Sequence, residues 1–153
     1  MAKAPVIRIT KEFRFEAAHM LWNYDGPCRN IHGHSYRLFV TVKGMPLNEP
    51  GNPKHGMLID FSVLKQIVHD LIVEPCDHAL LVNADSPHAE MALDNKLFGK
   101  VKPVPYQPTC ENMIHDFAQL IRLALPSNVQ LHALRLHETA TAYAEWFAGD
   151  NEE

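Results

Sequence analysis

The chain has 153 residues, 46% of them hydrophobic, and 14 basic against 18 acidic side chains leave a formal net charge of −4. That length suits one domain, expected to span residues 1–153 and to bury roughly 70% of its unfolded surface without covalent staples. The three cysteines, Cys28, Cys76 and Cys110, show neither an even count nor CxxC spacing, which argues against a disulfide framework and for a reducing cytoplasm. Scattered Lys and Arg exclude an extended nucleic-acid interface, and no apolar run suits a secretory leader or a membrane span.

Residues 1–5 read as an arm. From Val6 to Ala18 the chain alternates, with Phe13, Phe15 and Ala17 between Arg14, Glu16 and Ala18, and this period of two predicts a half-buried strand closed by His19. Tyr24-Asp25-Gly26-Pro27 signals a turn, and Cys28 follows it. His32 and His34 are two apart, so on a strand both rings point to one face, and antiparallel pairing brings His19 beside them. The second strand runs on through Tyr36, Leu38, Val40 and Val42, and Gly44 to Gly56 is a loop.

Three imidazoles so placed match the ligand count of a catalytic zinc, which keeps its fourth position for water or substrate. Gly33 between two of them suits a bend or the close approach of a bound molecule. Cys28 admits two readings: a thiolate ligand that closes a structural site, or a base or nucleophile facing the metal across a substrate. The histidines at 55, 69, 88, 115 and 132 fall in no motif.

Asp60 is a candidate N-cap for a helix with Phe61, Leu64, Ile67, Val68, Leu71 and Ile72 on one face, stopped by Pro75. Asp77 and His78 follow, a carboxylate beside an imidazole, which is the pairing a proton shuttle uses. Ala79 to Val82 is apolar, and residues 84 to 107 show little pattern beyond a short helix around Glu90 to Phe98 and an extended, proline-marked return. Thr109 caps a second helix with Glu111 in its first turn and Ile114, Phe117, Ala118, Ile121 and Leu125 along one face. Val129 to Glu138 and Ala142 to Phe147 form a hairpin, and an acidic tail from about residue 149 is expected to be disordered. The order strand, strand, helix, helix, strand, strand predicts an α+β fold with a four-stranded antiparallel sheet and both helices on one face. Open sheet edges favour a homo-oligomer.

FEAAH at Phe15 to His19, CRNIHGHSY at Cys28 to Tyr36, GMLIDF at Gly56 to Phe61, DHALLVN at Asp77 to Asn83, PTCEN at Pro108 to Asn112 and HET at His137 to Thr139 stand in a telling order. The chain resembles the family of 6-pyruvoyl- and 6-carboxytetrahydropterin synthases over roughly residues 6 to 147. The resemblance implies the tunnelling fold (T-fold), in which ββααββ units close into a trimeric barrel and two trimers stack into a hexamer. It implies His19, His32 and His34 as zinc ligands, Cys28 as catalytic thiol, and Asp77 with His78 as a proton relay supplied from a neighbouring subunit. Glu138 would anchor the pterin ring and join the relay, and Thr109 and Glu111 would line the pterin pocket. The spacing of Cys28 from His32 is similar to that of the bacterial enzymes that make 6-carboxytetrahydropterin for queuosine. A 6-pyruvoyl product or a non-catalytic pterin- or zinc-binding module stands as the alternative. Cys76 and Cys110 occupy positions where the family usually has other residues, and both are expected to be inert and buried.

Overall fold

Alternation at Phe13, Phe15 and Ala17 forms the spine of the sheet. In the computed structural model, which describes residues 2–152, β1 (Ile7–His19) and β2 (His32–Gly44) pair antiparallel along their whole length, from Ile7 opposite Gly44 to His19 opposite His32. β2 also pairs antiparallel with β5 (Gln130–His137), and β5 with β6 (Tyr143–Phe147), the hairpin expected from the last two alternating runs. The β2–β5 ladder shifts register at Thr41/Val42, where Thr41 faces Ala133 and Val42 faces Leu131, so that His132 bulges out of the pairing.

The sheet has six strands rather than four, with β3 (Ala79–Asn83) and β4 (Val101–Val104) added, in the order β4-β3-β1-β2-β5-β6. Of the two added strands, β3 is parallel to β1 and β4 is parallel to β3, so the sheet is mixed. Neither carries an alternating signal. Four of the five residues of β3 are buried, so it presents a continuous apolar run with no polar face. β4 is a four-residue edge strand that contains Pro103, whose missing N–H costs nothing where no neighbour follows.

Asp60 caps α1 (Phe61–Val68) by accepting from the Ser62 amide at 2.8 Å. The helix continues through a π-helical stretch, His69–Val73, into the short turn α2 (Glu74–Cys76). Leu64, Val68, Ile72 and Cys76 are all buried at four-residue spacing. Such a stripe drifts around a helix of 3.6 residues per turn, and the wider π turn brings it back onto the sheet. Phe61, counted on the apolar face from sequence, is instead 50% exposed at the helix start.

α4 (Cys110–Ala124) begins at Thr109, whose hydroxyl accepts from the Asn112 amide at 3.2 Å, and buries Met113, Ile114, Phe117, Ala118 and Ile121. Phe117 meets Phe15 edge-on at 6.1 Å between centroids, and Phe15 stacks on Tyr36 at 5.0 Å. α1 and α4 therefore share one core with Phe13, Phe15, Leu38, Val40, Leu134 and Leu136. The remaining helix, α3 (Pro87–Asp94), lies N-terminal of the expected Glu90 to Phe98. Ala89 and Ala92 pack it with Leu80, Val82 and Met20 in a second, smaller cluster. Leu80 and Val82 alternate with Ala79 and Leu81 of the main core, so α3 covers the opposite face at the β3–β4 end.

Beyond α3 that opposite face is polar. Glu12 accepts from Arg37 at 2.7 Å and Arg14 at 3.0 Å, and Arg135 meets Glu145 at 2.7 Å. Ala148–Asp150 forms a 3-10 turn at the start of the acidic tail.

Candidate metal centre

The full β1–β2 register delivers the three histidines to one place. His19 ends β1 directly opposite His32, and His34 lies on the same face as His32. Their ring nitrogens all fall within 4.8 Å of one another, and among the described residues this is the His/Cys/Asp/Glu group with such geometry. His19 is 2% exposed and His34 lies mostly inside.

The hydrogen bonds fix which nitrogens face inward. The Pro108 carbonyl lies 2.7 Å from His19 Nδ1, and the Asn30 carbonyl 2.7 Å from His32 Nδ1. A carbonyl only accepts, so both Nδ1 atoms carry the proton and both Nε2 atoms present a lone pair. Those two Nε2 atoms stand 2.9 Å apart, and His34 Nε2 is buried with no hydrogen-bond partner among the described residues. Two unprotonated nitrogens at that distance repel unless a cation sits against them. Three imidazole nitrogens, two of them with carbonyl-anchored Nδ1 protons, are a donor set that could hold a metal ion and leave a position open.

Glu138, just past the end of β5, places Oε1 3.6 Å from His19 Nε2 and 3.7 Å from His34 Nε2. Its backbone is set by the turn that follows, where its amide donates to the Ala142 carbonyl at 3.1 Å. Burial, reinforced by the neighbouring imidazoles, pulls the His19 pKa down to about 4. His34 is lowered mainly by burial, against the opposing pull of the Glu138 carboxylate. Both shifts keep the rings neutral, the form that binds a metal.

Cys28 lies outside this group, in the 3-10 turn Pro27–Arg29 of the β1–β2 loop, half-buried with a free thiol. It is tied back by its carbonyl, which accepts from the Leu21 amide at 3.1 Å. Cys76 and Cys110 are buried, and burial raises each thiol to about 11, so both stay protonated.

Asp77 and His78 are not members of the three-histidine group among the described residues. His78 adopts φ of 59°, a left-handed conformation rare for a residue with a side chain. The corner is heavily tied: the His78 amide donates to the Glu16 carbonyl at 2.6 Å, the Glu16 amide to Asp77 Oδ1 at 2.9 Å, and Lys100 Nζ to the Asp77 carbonyl at 2.8 Å. Asp77 Oδ2 faces His78 Nδ1 at 3.1 Å, and the Glu16 amide, followed by His78, holds the Asp77 carboxyl below its usual range. His78 opens onto a cleft of about 460 Å³ that it shares with His34, Glu16, Ser35 and Lys100.

Thr109 spends its hydroxyl on the helix cap, and Glu111 is exposed on the first turn of α4. An added Cβ at Gly33 would meet only the Ala17 carbonyl, at an ordinary 3.5 Å, so no contact within the chain demands glycine there. Two groups that position the site escaped sequence reading, the carbonyls of Pro108 and Asn30, because a backbone acceptor leaves no residue-type signal. Tyr36 was findable: it continues the His32–His34 parity, and its ring packs edge-on against His34 at 5.6 Å and His19 at 6.3 Å.

Fold and site together define an α+β protein with a three-histidine group able to hold a metal ion and an adjoining carboxylate. Residues 8–148 match the family described as 6-pyruvoyl tetrahydropterin synthase, and the chain belongs to that family of pterin synthases. It is 37% identical to a Haemophilus influenzae protein named 6-carboxy-5,6,7,8-tetrahydropterin synthase, over 92% of this chain and 99% of that one. A Synechocystis protein of the same name is 35% identical, over 92% of each chain. Among solved structures, an uncharacterized Wolinella succinogenes protein superposes with a TM-score of 0.78 at 20% identity, covering 95% of this chain and 99% of that one. A Caenorhabditis elegans 6-pyruvoyl tetrahydropterin synthase gives 0.67 at 23%, covering 97% and 99%. Among the described residues no helix is long and apolar enough to cross a membrane.

Proposed function

We propose that this chain is a zinc-dependent 6-carboxytetrahydropterin synthase. It converts 7,8-dihydroneopterin triphosphate to 6-carboxy-5,6,7,8-tetrahydropterin, releasing acetaldehyde and triphosphate, as a cytoplasmic step toward the 7-deazapurine queuosine. The observation that carries the metal reading is the pair of unprotonated Nε2 atoms of His19 and His32, 2.9 Å apart with Glu138 alongside. The relatives named above and the spacing of Cys28 from His32 support the carboxylated product.

His19, His32 and His34 hold the zinc through Nε2. Zinc in that position supplies Lewis acidity to the hydroxyls of the substrate side chain. Glu138 accepts hydrogen bonds from the amino and ring N–H groups of the pterin, fixing which carbon of the side chain faces the histidines. Thr109 and Glu111 border the same ring. Cys28 takes a proton from one face of the side chain, and His78, oriented by Asp77, serves the other.

The left-handed, cross-tied corner that presents Asp77 and His78 is strain of the kind that clusters at functional sites, which supports a role for the pair in the reaction. In this reading the pair serves the triad of a neighbouring copy, in a hexamer built as two stacked trimers, as the family resemblance implies. Mass spectrometry of the product from zinc-loaded protein and 7,8-dihydroneopterin triphosphate, beside a Cys28→Ala control, tests the assignment. A 6-carboxy product lost in the control is expected. A 6-pyruvoyl product moves the chain to biopterin-type chemistry, and no product in either sample sinks the lyase reading.

A further inference from the structure

A second concave surface adjoins the metal centre on the β1–β2 loop. Trp22, Tyr24, Arg29, Asn30 and His88 are among the residues that line a cleft of about 430 Å³. Beside it lies another of about 440 Å³ that shares Arg29, Asn30 and His88. Neither has a carboxylate in its walls, whereas clefts elsewhere on the chain include Glu16, Glu145, or Glu90 with Asp94. On a chain of net charge −4, a concavity with a guanidinium and no acid attracts an anion.

His88 stands in the first turn of α3, and its Nδ1 is buried with no hydrogen-bond partner among the described residues. Buried polar nitrogens are almost always paired, so an orphan marks a place where a ligand atom fits. The wall is also held in shape. Gln107 brackets the Trp22 main chain, donating from Nε2 to its carbonyl at 2.8 Å and accepting at Oε1 from its amide at 3.3 Å. Asn30 Nδ2 donates to the Pro27 carbonyl at 3.1 Å.

The position of the cleft along the site gives it a role. Glu138 approaches His19 and His34, while Asn30, whose side of the loop forms the cleft, holds His32. A substrate arm that left the three histidines on the His32 side would pass the Asn30 backbone, which holds His32 Nδ1, and meet Arg29. We propose that the Arg29–His88 cleft receives the triphosphate arm of the pterin substrate. Arg29 grips two phosphate oxygens in its planar fork, and His88 donates or accepts at the phosphate end. This assignment rests on the reading of the chain as acting on 7,8-dihydroneopterin triphosphate.

The test compares equilibrium binding of 7,8-dihydroneopterin with that of its triphosphate to the zinc-loaded full chain, followed by calorimetry at a temperature where turnover is slow. Wild type is expected to prefer the triphosphate at least tenfold. Arg29→Gln and His88→Ala should each cut that preference about fivefold or more while leaving affinity for dihydroneopterin unchanged. Preference that survives both substitutions, or affinity for both ligands falling in parallel, overturns the assignment. If neither pterin binds, the proposed function fails separately, and inorganic triphosphate supplied as its magnesium complex decides the cleft. Binding weakened by Arg29→Gln then supports an anion site, and absent or unaltered binding removes it.

Discussion

Stripping the metal should leave a protein whose stability depends steeply on acidity, with His19 as the main cause. Its pKa falls from 6.5 to about 4 on folding, because burial disfavours the charged ring. Above pH 6.5 the ring is neutral folded and unfolded, and it contributes no dependence. Between 6.5 and 4 the unfolded chain takes up a proton that the folded one refuses, so stability falls as pH falls, by about 1.4 kcal/mol per pH unit. Across the whole window the loss is about 3 kcal/mol, and below pH 4 it levels off because both states are protonated. His34, also lowered, adds to the loss in the same direction. Urea unfolding of chelated protein at half-unit intervals from pH 7.5 to 4.5 measures this, with His19→Gln as the reference that removes the ring and cancels the carboxylate background. A wild-type curve parallel to that of His19→Gln would refute the reasoning. Zinc-loaded protein should start more stable and fall more steeply, since protons then compete with the metal for three nitrogens.

Other outcomes follow from the packing. Phe117→Ala, which empties the ring contact against Phe15, should cost about 3–5 kcal/mol by denaturant unfolding. Gly44→Ala would press a Cβ to 2.7 Å from the Asn128 carbonyl and against Leu58, so a loss of about 1–3 kcal/mol in the same assay is expected. His78→Asn, a residue that tolerates left-handed backbone, should keep thermal stability within about 1 kcal/mol of wild type or raise it, while product formation falls at least tenfold and zinc content by metal analysis stays unchanged. Loss of zinc in His78→Asn would make the residue part of the metal's support and contradict a role in proton transfer alone.

Much of the architecture was legible because its signals are local. The parity of Phe13, Phe15, Ala17, His32 and His34 gives the face of each side chain, and Asp60 and Thr109 mark helix starts with capping hydroxyl or carboxylate groups. β3 and β4 were missed for a physical reason: parallel strands covered on both sides lose their alternation, and a proline-bearing edge strand looks like a loop. The triad was readable from spacing, since a register fixed along thirteen residues of β1 leaves His19 nowhere else to go. The carbonyls that aim the rings, the approach of Glu138 and the orphaned nitrogen of His88 depend on contacts between distant segments, which no local pattern encodes.

The bulge at His132 acts on the site from the far end of its strand. Leu131 and Glu138 are an odd number of residues apart, so a regular strand would send them to opposite faces of the sheet. With His132 squeezed out of the ladder, Leu131, Leu134 and Leu136 all reach the core and Glu138 lands among the imidazoles. A one-residue slip that ironed out the bulge would expose Leu134 and Leu136 as it turned Glu138 away. The direction of the acid is thus locked by greasy residues that never touch a ligand, and a register error there would cost the chain its fold before it could cost its chemistry.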